Sequence, residues 1–311
     1  MVYNDKYDVF YQYQGLFMLK KYTVLSFCFL TTVALAISLP KLEFKNTSSD
    51  RLADLPDFKY EDFNSAYLQE LRTRFNLESL VVDCETEQEK VLAVMNWVHH
   101  LWQHNGNNEP VKSDPISILD EVITNKKHFR CVEYATVLTG CLNALGLRAR
   151  VLSLMTADVE TREYVAGHVV TEVYLPSCSK WVLADAQFNL MPVLDGMPLN
   201  ALELQQALVN QTSALELASC DPDLTSGEYS PAEIAVYKQD FIDFIGEYLY
   251  FFRTRFDQQY TQDVTWAAGR NLSSLVLVPV GAKAPEVFQI KYPFTNLTST
   301  NSSACFYQKP V

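Results

Sequence analysis

The apolar positions of the chain change from a helical to a strand-like spacing at Gly146. From Cys131 up to that glycine they recur every three or four residues, which places them on one face of a helix. Gly146 would end this helix, because glycine readily adopts the left-handed backbone that follows many helices. The apolar face consists of Ala135, Leu138, Leu142 and Leu145.

Helix-start signals predict further helices on both sides of this one. Thr86 and Glu89 form a capping box ahead of apolar residues at helical spacing. Asp114-Pro115 suits the cap and the first position of a short helix. The predicted helices cover residues 65–75, 86–102, 116–123, 131–145 and 200–209, and a last one runs from Ser230 through Phe251.

Beyond Gly146 short runs rich in Val, Leu and Tyr alternate with turn residues, which predicts strands. Pro176-Ser177-Cys178-Ser179 separates two of these runs and indicates a hairpin turn. The predicted strands cover residues 148–154, 166–175, 180–186, 273–280 and 286–291. We expect a loop over residues 210–230 and a loose tail over residues 296–311. Helices combined with antiparallel strands indicate the α+β class.

The N-terminal region predicts export. Residues 22–38 carry no charge, follow Lys20-Lys21 and contain Ala34-Leu35-Ala36, which is the pattern of a secretory signal peptide. Met18 stands just ahead of the lysines, so we expect translation to start there. Residues 1–38 are therefore interpreted as a signal peptide region of a secreted or extracytoplasmic protein. The alternative is that the segment is retained as a membrane anchor.

Composition sets the class of protein and limits its partners. A hydrophobic content of 48% indicates a globular chain, and the net charge of −12 would repel nucleic acid. The charges are spread along the chain without acidic blocks or low-complexity linkers. We therefore predict an N-terminal arm over residues 39–84 and one domain with a C-terminal helical elaboration over residues 85–295.

Cys131 lies at the amino end of its predicted helix, where unpaired N–H groups and the helix dipole favour a negative charge. The thiolate is the form in which a cysteine attacks carbonyl carbon. Taken alone, a cysteine in this position is more often buried and inert. Its interpretation as a nucleophile therefore depends on residues further along the chain.

His168 and Asp185 occupy the two strands of the predicted hairpin and could complete a catalytic site. A two-residue turn would pair His168 with Asp185, whereas a four-residue turn would pair His168 with Gln187 and Asp185 with Val170. Both registers place His168 and Asp185 on one face of the sheet, and an odd-length turn would separate them. In such a set His168 would accept the thiol proton and Asp185 would orient the imidazole.

The sequence around these residues resembles the transglutaminase-like superfamily in three motifs. Phe129-Arg130-Cys131-Val132-Glu133-Tyr134-Ala135, followed by Ala144-Leu145-Gly146-Leu147-Arg148-Ala149-Arg150, is similar to that family's nucleophile helix. Gly167-His168-Val169-Val170-Thr171-Glu172-Val173 resembles its histidine strand, and Trp181-Val182-Leu183-Ala184-Asp185 its aspartate strand. The chain departs from the pattern just before the cysteine, where His128-Phe129-Arg130 replaces the glycine that is frequent in the family.

This resemblance implies a papain-like core, in which a cysteine helix packs on an antiparallel sheet that carries His168 and Asp185. It also implies acyl transfer on amide bonds through a thioester, with a protein or peptide substrate that could be a cell-wall peptide. We expect hydrolysis, as in a peptidase or amidase. Alternatives are a cross-linking transamidase and a non-catalytic binding or scaffolding domain. We predict no cofactor and no metal, and a membrane partner only if the N-terminal segment is retained.

Three further features leave alternatives open. His100 and His104 are spaced for one helix face and, with Glu109, could hold a metal. The backbone N–H of Cys131 is one candidate donor to the oxyanion, and a second could come from one of four nearby residues. The aromatic stripe of the last predicted helix is interpreted as core, with a partner-binding face as the alternative. The second-donor candidates are Trp97, Trp102, Gln103 and Gln187, and the stripe contains Tyr237, Phe241, Phe244, Ile245, Tyr248 and Phe251 or Phe252.

Overall fold

The structure is a computed structural model that describes residues 39–46, 55–225, 229–260 and 273–310. The described residues form one compact unit. The predicted signal peptide region, including Met18, lies outside the described residues. Within the described ranges, no helix has both the length and the apolar character needed to span a bilayer.

The predicted helices are present, with ends close to their sequence signals. Thr86 and Glu89 form a reciprocal capping box at the start of helix Glu87–Leu101, and Asp114 caps helix Pro115–Asn125 with Pro115 in first position. Gly146 follows the end of helix Cys131–Ala144 with a φ of +81°, the conformation that glycine adopts most easily. The bounds are α1 Ala66–Arg74, α2 Glu87–Leu101, α3 Pro115–Asn125, α4 Cys131–Ala144, α5 Ala201–Val209, α6 Pro222–Thr225, α7 Pro231–Gly246 and α8 Ser303–Phe306, with a 3-10 turn at Leu77–Leu80.

The main sheet of the described residues has the strand order β11-β8-β7-β1-β2-β3, antiparallel except for the β11/β8 pair. A smaller sheet joins β5, β4 and β6, and β9 pairs with β10. These elements confirm the predicted α+β class. The strands are β1 Ala149–Met155, β2 Gly167–Leu175, β3 Lys180–Ala184, β4 Met191–Leu194, β5 Met197–Pro198, β6 Leu215–Ala218, β7 Phe251–Arg255, β8 Ser274–Leu277, β9 Val287–Phe288, β10 Tyr292–Pro293 and β11 Leu297–Thr300.

Helix α4 lies at the centre of the core, between the other N-terminal helices and the face of β1 and β2. Nearly all of its residues are buried. Gly140 permits this packing, because a Cβ there would lie 2.3 Å from Cγ of Pro115 at the start of α3. On the sheet side, the Thr171 hydroxyl donates to the carbonyl of Ala135 at 3.0 Å. This contact fixes the amino-terminal half of α4 against β2.

The predicted helix through Phe251 is wrong at its C-terminal end. Helix α7 ends at Gly246, and residues 251–255 form β7 between β1 and β8. Phe252 pairs with Leu154 on one side and with Leu277 on the other. The aromatic residues continue at helical spacing, but they also favour strands, and pairing on both sides overrides the helical pattern.

Two loop and strand predictions also need correction. Residues 210–230, expected to be a loop, contain β6 and the short helix α6, because Leu215–Ala218 adds to the edge of β4. The strand expected over residues 286–291 is confined to Val287–Phe288. It is short because Gln289 and Ile290 take left-handed backbone, which turns the chain back into β10.

The loose tail predicted for residues 296–311 is wrong as well. Strand β11 pairs in parallel with β8, and Ser302 caps α8. Phe306 is fully buried, and its carbonyl accepts a hydrogen bond from Arg150 at 3.0 Å. The polar composition of this segment hid these anchors, because one buried aromatic residue and paired backbone groups suffice to order it.

Candidate active site

Cys131 is the first residue of α4 and is half-buried. The backbone N–H of Arg130, just before it, donates to the Glu133 carboxylate at 3.1 Å. The Arg130 guanidinium lies 2.8 Å from Glu133 and 2.8 Å from Glu109. Two carboxylates therefore neutralise this guanidinium. The first N–H groups of α4 have no acceptor within the helix, and they lie at the end of the helix that carries the thiol.

The structure brings His168 and Asp185 into direct contact. His168 is the second residue of β2, and Asp185 directly follows β3. Their Nε2 and Oδ2 atoms are 2.7 Å apart, and both side chains are at most 2% exposed. Thr171 pairs with Ala184, which is the register that a four-residue turn produces, so His168 and Asp185 meet as diagonal neighbours across the strands.

Backbone groups hold the Asp185 carboxylate in place. Its Oδ1 accepts the N–H of Gln187 at 2.9 Å and that of Phe188 at 3.2 Å. The other oxygen remains for His168. A carboxylate only accepts, so Nε2 of His168 donates and Nδ1 remains available to the thiol.

Charge and hydrogen bonding favour the protonated form of His168. Burial alone would lower its pKa, but the charge of Asp185, its hydrogen bond and then interactions with Cys131 outweigh burial and raise the pKa to about 10. The interactions with Cys131 include a hydrogen bond between its side chain and the imidazole, so the thiol lies next to His168. The three residues chosen from the sequence therefore form one group, built from the start of α4 and the adjoining ends of β2 and β3.

Aromatic rings from α7, from the segment just after it and from the turn after β3 surround the imidazole. The ring centroids of Phe244, Phe188 and Tyr248 lie 5.1, 5.9 and 6.0 Å from that of His168. Phe241, Ile245 and Tyr248 are buried, so the stripe is core, as predicted. Its position over His168, which the sequence did not indicate, keeps bulk water from the His168–Asp185 contact.

Trp102 packs against residues on both sides of Cys131 and carries a buried N–H donor. Its indole stacks on Tyr134 at 4.3 Å and meets Phe129 edge-on at 6.3 Å, and these two residues flank Cys131 in sequence. In the described part of the chain, the indole Nε1 is buried and makes no hydrogen bond. By contrast, Trp97 lines a surface pocket together with His100. Among the four sequence candidates we therefore favour Trp102.

The metal set predicted as an alternative, His100 with His104 and Glu109, is not assembled. Helix α2 ends at Leu101, so His104 lies beyond the helical face that carries His100. Burial, and then the positive charges of His168 and Arg130, lower the pKa of His104 to about 4. His104 is therefore a neutral imidazole, and it lies close enough to His168 for their charges to interact. No sequence pattern indicated that position, because it results from the end of α2 at Leu101.

The cysteines of the described residues are free thiols. These are Cys84, Cys131, Cys141, Cys178, Cys220 and Cys305. Cys141 is fully buried, and its burial raises the pKa of the thiol. Burial and then Asp221 also raise the pKa of the Cys220 thiol, which is exposed at the surface. Among them, Cys131 is the thiol placed beside His168.

Comparison with known proteins identifies the domain that contains this site. Residues 77–186 match the model of the transglutaminase-like superfamily, a range that includes Cys131, His168 and Asp185. No curated protein matches the chain in sequence.

Among solved structures, similar ones include a protein from Cytophaga hutchinsonii provisionally described as a cysteine protease (17% identity, 53% of this chain, 57% of that chain, TM-score 0.32). Another is the periplasmic domain of TgpA from Pseudomonas aeruginosa (19% identity, 38% and 44%, TM-score 0.29). The chain thus spans less than two thirds of either structure. The family assignment depends on the sequence model over residues 77–186.

Proposed function

We propose that this chain, which belongs to the transglutaminase-like superfamily through residues 77–186, is an exported cysteine enzyme that transfers acyl groups from amide bonds. The observation that carries the proposal is the buried 2.7 Å contact of His168 with Asp185, beside Cys131 at the start of α4. A carboxylate, an imidazole and a thiol in this order are the groups that nucleophilic catalysis by cysteine requires.

The reaction follows from the hydrogen bonds. The Cys131 thiol gives its proton to Nδ1 of His168, and the sulfur attacks the carbonyl carbon to form a C–S bond. His168 then returns the proton to the amide nitrogen, the C–N bond breaks, and an amine leaves behind a thioester. Asp185 keeps Nε2 of His168 protonated and offsets the charge of the imidazolium. These steps use side chains of the protein alone.

Two N–H groups would stabilise the negative oxygen of the tetrahedral intermediate. The first is the backbone N–H of Cys131, which lies in the first turn of α4 and has no acceptor within the helix. The second is the indole Nε1–H of Trp102. A buried donor that is unpaired in the resting protein gains its full hydrogen bond only when the oxyanion forms.

Replacing Trp102 by phenylalanine should lower turnover by about 10²–10³-fold, as the removal of one oxyanion donor does. Phenylalanine keeps an aromatic ring that can stack on Tyr134 but lacks the N–H and the second ring of the indole. The rate at which iodoacetamide alkylates Cys131 should be unchanged, because that reaction forms no oxyanion. Equal turnover of the Trp102→Phe variant and the wild type would exclude Trp102 as the donor.

We infer that water resolves the thioester, which makes the protein a peptidase or amidase. Water is abundant at any exposed thioester, and nothing in the sequence specifies an amine acceptor. The substrate would be a protein or peptide, including the peptides of a cell wall, because the N-terminal region predicts export. The net charge of −12 disfavours a nucleic acid partner. Cross-linking by an amine and binding without catalysis are the alternatives.

The proposal is tested by the alkylation of individual thiols near neutral pH, read by peptide mass spectrometry. Cys220 is an internal control, since it is more exposed than Cys131 and its thiol donates to the carbonyl of Leu92 instead of to an imidazole. We expect Cys131 to react faster than Cys220, and His168→Ala to slow Cys131 alone. If Cys131 reacts no faster than Cys220 in the wild type, the protein lacks an activated thiol and the binding-domain alternative is favoured.

Incubation with peptides, glutamine-containing peptides and peptidoglycan fragments would then separate the reaction classes. Cleavage of the chain identifies a peptidase, and release of ammonia without cleavage identifies an amidase. Incorporation of an added primary amine identifies a transamidase and would overturn the hydrolytic assignment. The Cys131→Ala variant is the control for each reaction.

A further inference from the structure

A group of three side chains that could bind a metal ion lies at the end of α2, next to the turn that holds Asp185. A ligand atom of each of His99, His100 and Asp221 lies within 4.8 Å of the other two. Nε2 of His100 is 3.6 Å from Oδ2 of Asp221. Asp221 is distant in sequence and reaches the group because β6 pairs with β4 and ends beside α2.

Hydrogen bonds fix both imidazoles in the form that binds a metal. Nδ1 of His99 lies 3.0 Å from the carbonyl of Ala186, and Nδ1 of His100 lies 2.9 Å from the carbonyl of Asn96. A carbonyl can only accept, so each Nδ1 carries the proton and each Nε2 carries a lone pair. A backbone carbonyl on the other ring nitrogen is the usual support of a metal-bound histidine.

Asp221 is supported in the same way. Its side chain is 8% exposed. Oδ2 accepts from the amide of Asn189 at 3.1 Å, and Oδ1 accepts from the N–H of Asp223 at 3.0 Å. Asn189 is itself fully buried, and its Oδ1 makes no hydrogen bond within the described residues. The carboxylate therefore has a fixed position beside the two histidines.

The distances suit a tetrahedral transition metal. Metal–ligand bonds of 2.0–2.1 Å place the ligands of a tetrahedral zinc about 3.3 Å apart. The 3.6 Å between Nε2 of His100 and Oδ2 of Asp221 is close to this value. Since the three ligand atoms lie within 4.8 Å of one another, each would have to move by about 1 Å or less to bind one ion. Two imidazoles and one carboxylate favour zinc over calcium or magnesium, which prefer oxygen ligands alone.

Access to the group is open on one side. His100 is about half exposed and lines a surface pocket of about 540 Å³ together with Asn96, Trp97 and Cys220. An ion can enter through this pocket, and water can occupy its fourth coordination position. The pocket does not include the residues of the candidate active site.

We propose that His99, His100 and Asp221 form a zinc site that supports the turn carrying Asp185. Two of the four supporting hydrogen bonds end on Ala186 and Asn189, both within the turn from Asp185 to Leu190 that orients the Asp185 carboxylate. A bound ion would tie α2 and the segment after β6 to this turn. The site is separate from Cys131 and holds whether or not the acyl-transfer reaction occurs.

Isothermal titration of zinc into the full chain with the Cys131→Ala substitution tests the proposal, because this background removes the thiol that could bind zinc beside His168. We expect one ion per chain and a higher unfolding temperature with zinc. The Asp221→Asn and His100→Ala variants should each weaken binding at least about 10-fold. The matched control is Glu109→Gln, because Glu109 was a ligand candidate from the sequence but pairs with Arg130 in the structure. This variant should bind zinc as tightly as Cys131→Ala alone.

Cobalt(II) provides a second readout of the ligands. The cobalt complex should show the spectrum of a tetrahedral site with nitrogen and oxygen ligands, and no thiolate charge-transfer band. The Cys220→Ser variant should give the same spectrum and affinity. Absence of binding, a thiolate band, or unchanged affinity in both His100→Ala and Asp221→Asn would overturn the proposal.

Discussion

Replacing Asp185 by alanine is expected to lower turnover by about 10³–10⁴-fold, the loss found when a catalytic histidine is left in the wrong tautomer. Asp185 makes Nε2 of His168 a hydrogen-bond donor, and so leaves Nδ1 for the proton of Cys131. Without the carboxylate, the neutral imidazole can carry its proton on either nitrogen. It also loses the charge that favours the imidazolium inside a buried site.

The same substitution should change the pH dependence in a known direction. Asp185 raises the pKa of His168, so removing its charge lowers that pKa. The imidazolium returns a proton to the leaving amine, and this form is lost as the pH rises through the pKa of His168. The alkaline limb of turnover should therefore move to lower pH in Asp185→Ala.

Asp185→Asn tests the tautomer directly. The asparagine oxygen would stay with the N–H groups of Gln187 and Phe188, so its amide N–H would face Nε2 of His168 and leave the ring proton on Nδ1. We expect this variant to lose at least as much turnover as Asp185→Ala while showing a similar alkaline shift. If Asp185→Ala retains wild-type turnover with an unshifted profile, then Asp185 has only a structural role. Circular dichroism and the unfolding temperature show whether each variant is folded.

The candidate site could be predicted from sequence because its parts are local. Cys131 at a helix start follows from the apolar spacing and Gly146, and both even-length turns place His168 and Asp185 on one face. The register itself, with Thr171 opposite Ala184, was left open, because the turn residues 176–179 permit either pairing.

The features that sequence reasoning left open or missed depend on contacts between distant segments. Trp102 reaches the surroundings of Cys131 only because α2 ends one residue earlier and the chain becomes extended there. Asp221 joins His99 and His100 through the pairing of β6 with β4. Neither contact could be predicted from hydrophobic periodicity. The periodicity shows which face of a helix or strand is buried, but not which other element packs against that face.

The C-terminal segment, residues 296–310, is also ordered by contacts with a distant part of the chain, and Arg150 makes the central one. This residue is the last one of the motif that resembles the family's nucleophile helix, and it is fully buried in β1. Its guanidinium lies 2.7 Å from Glu172, which is also fully buried, and donates to the carbonyl of Phe306 at 3.0 Å. It stacks over the ring of Trp181 at 4.3 Å. Arg150 thus joins the sheet to the segment predicted to be loose.

Replacing Arg150 by methionine should lower the free energy of unfolding by about 3–5 kcal/mol, because it leaves the carboxylate of Glu172 buried without its partner charge. Arg148→Met is the matched control. Arg148 is half-buried, lies over the ring of Phe63 at 3.9 Å and has no buried carboxylate to neutralise, so its loss should cost about 1 kcal/mol. Equilibrium unfolding in urea compares the two.

The double variant Arg150→Met/Glu172→Gln identifies the cause of the loss. If the unpaired charge dominates, removing that charge restores part of the stability, so the double variant is more stable than Arg150→Met alone. If the contacts to Phe306 and Trp181 dominate, Glu172→Gln restores nothing, because it leaves both contacts broken. Equal losses in Arg150→Met and Arg148→Met would contradict the role of the buried ion pair. The expected order of stability is therefore wild type, Arg148→Met, the double variant and Arg150→Met.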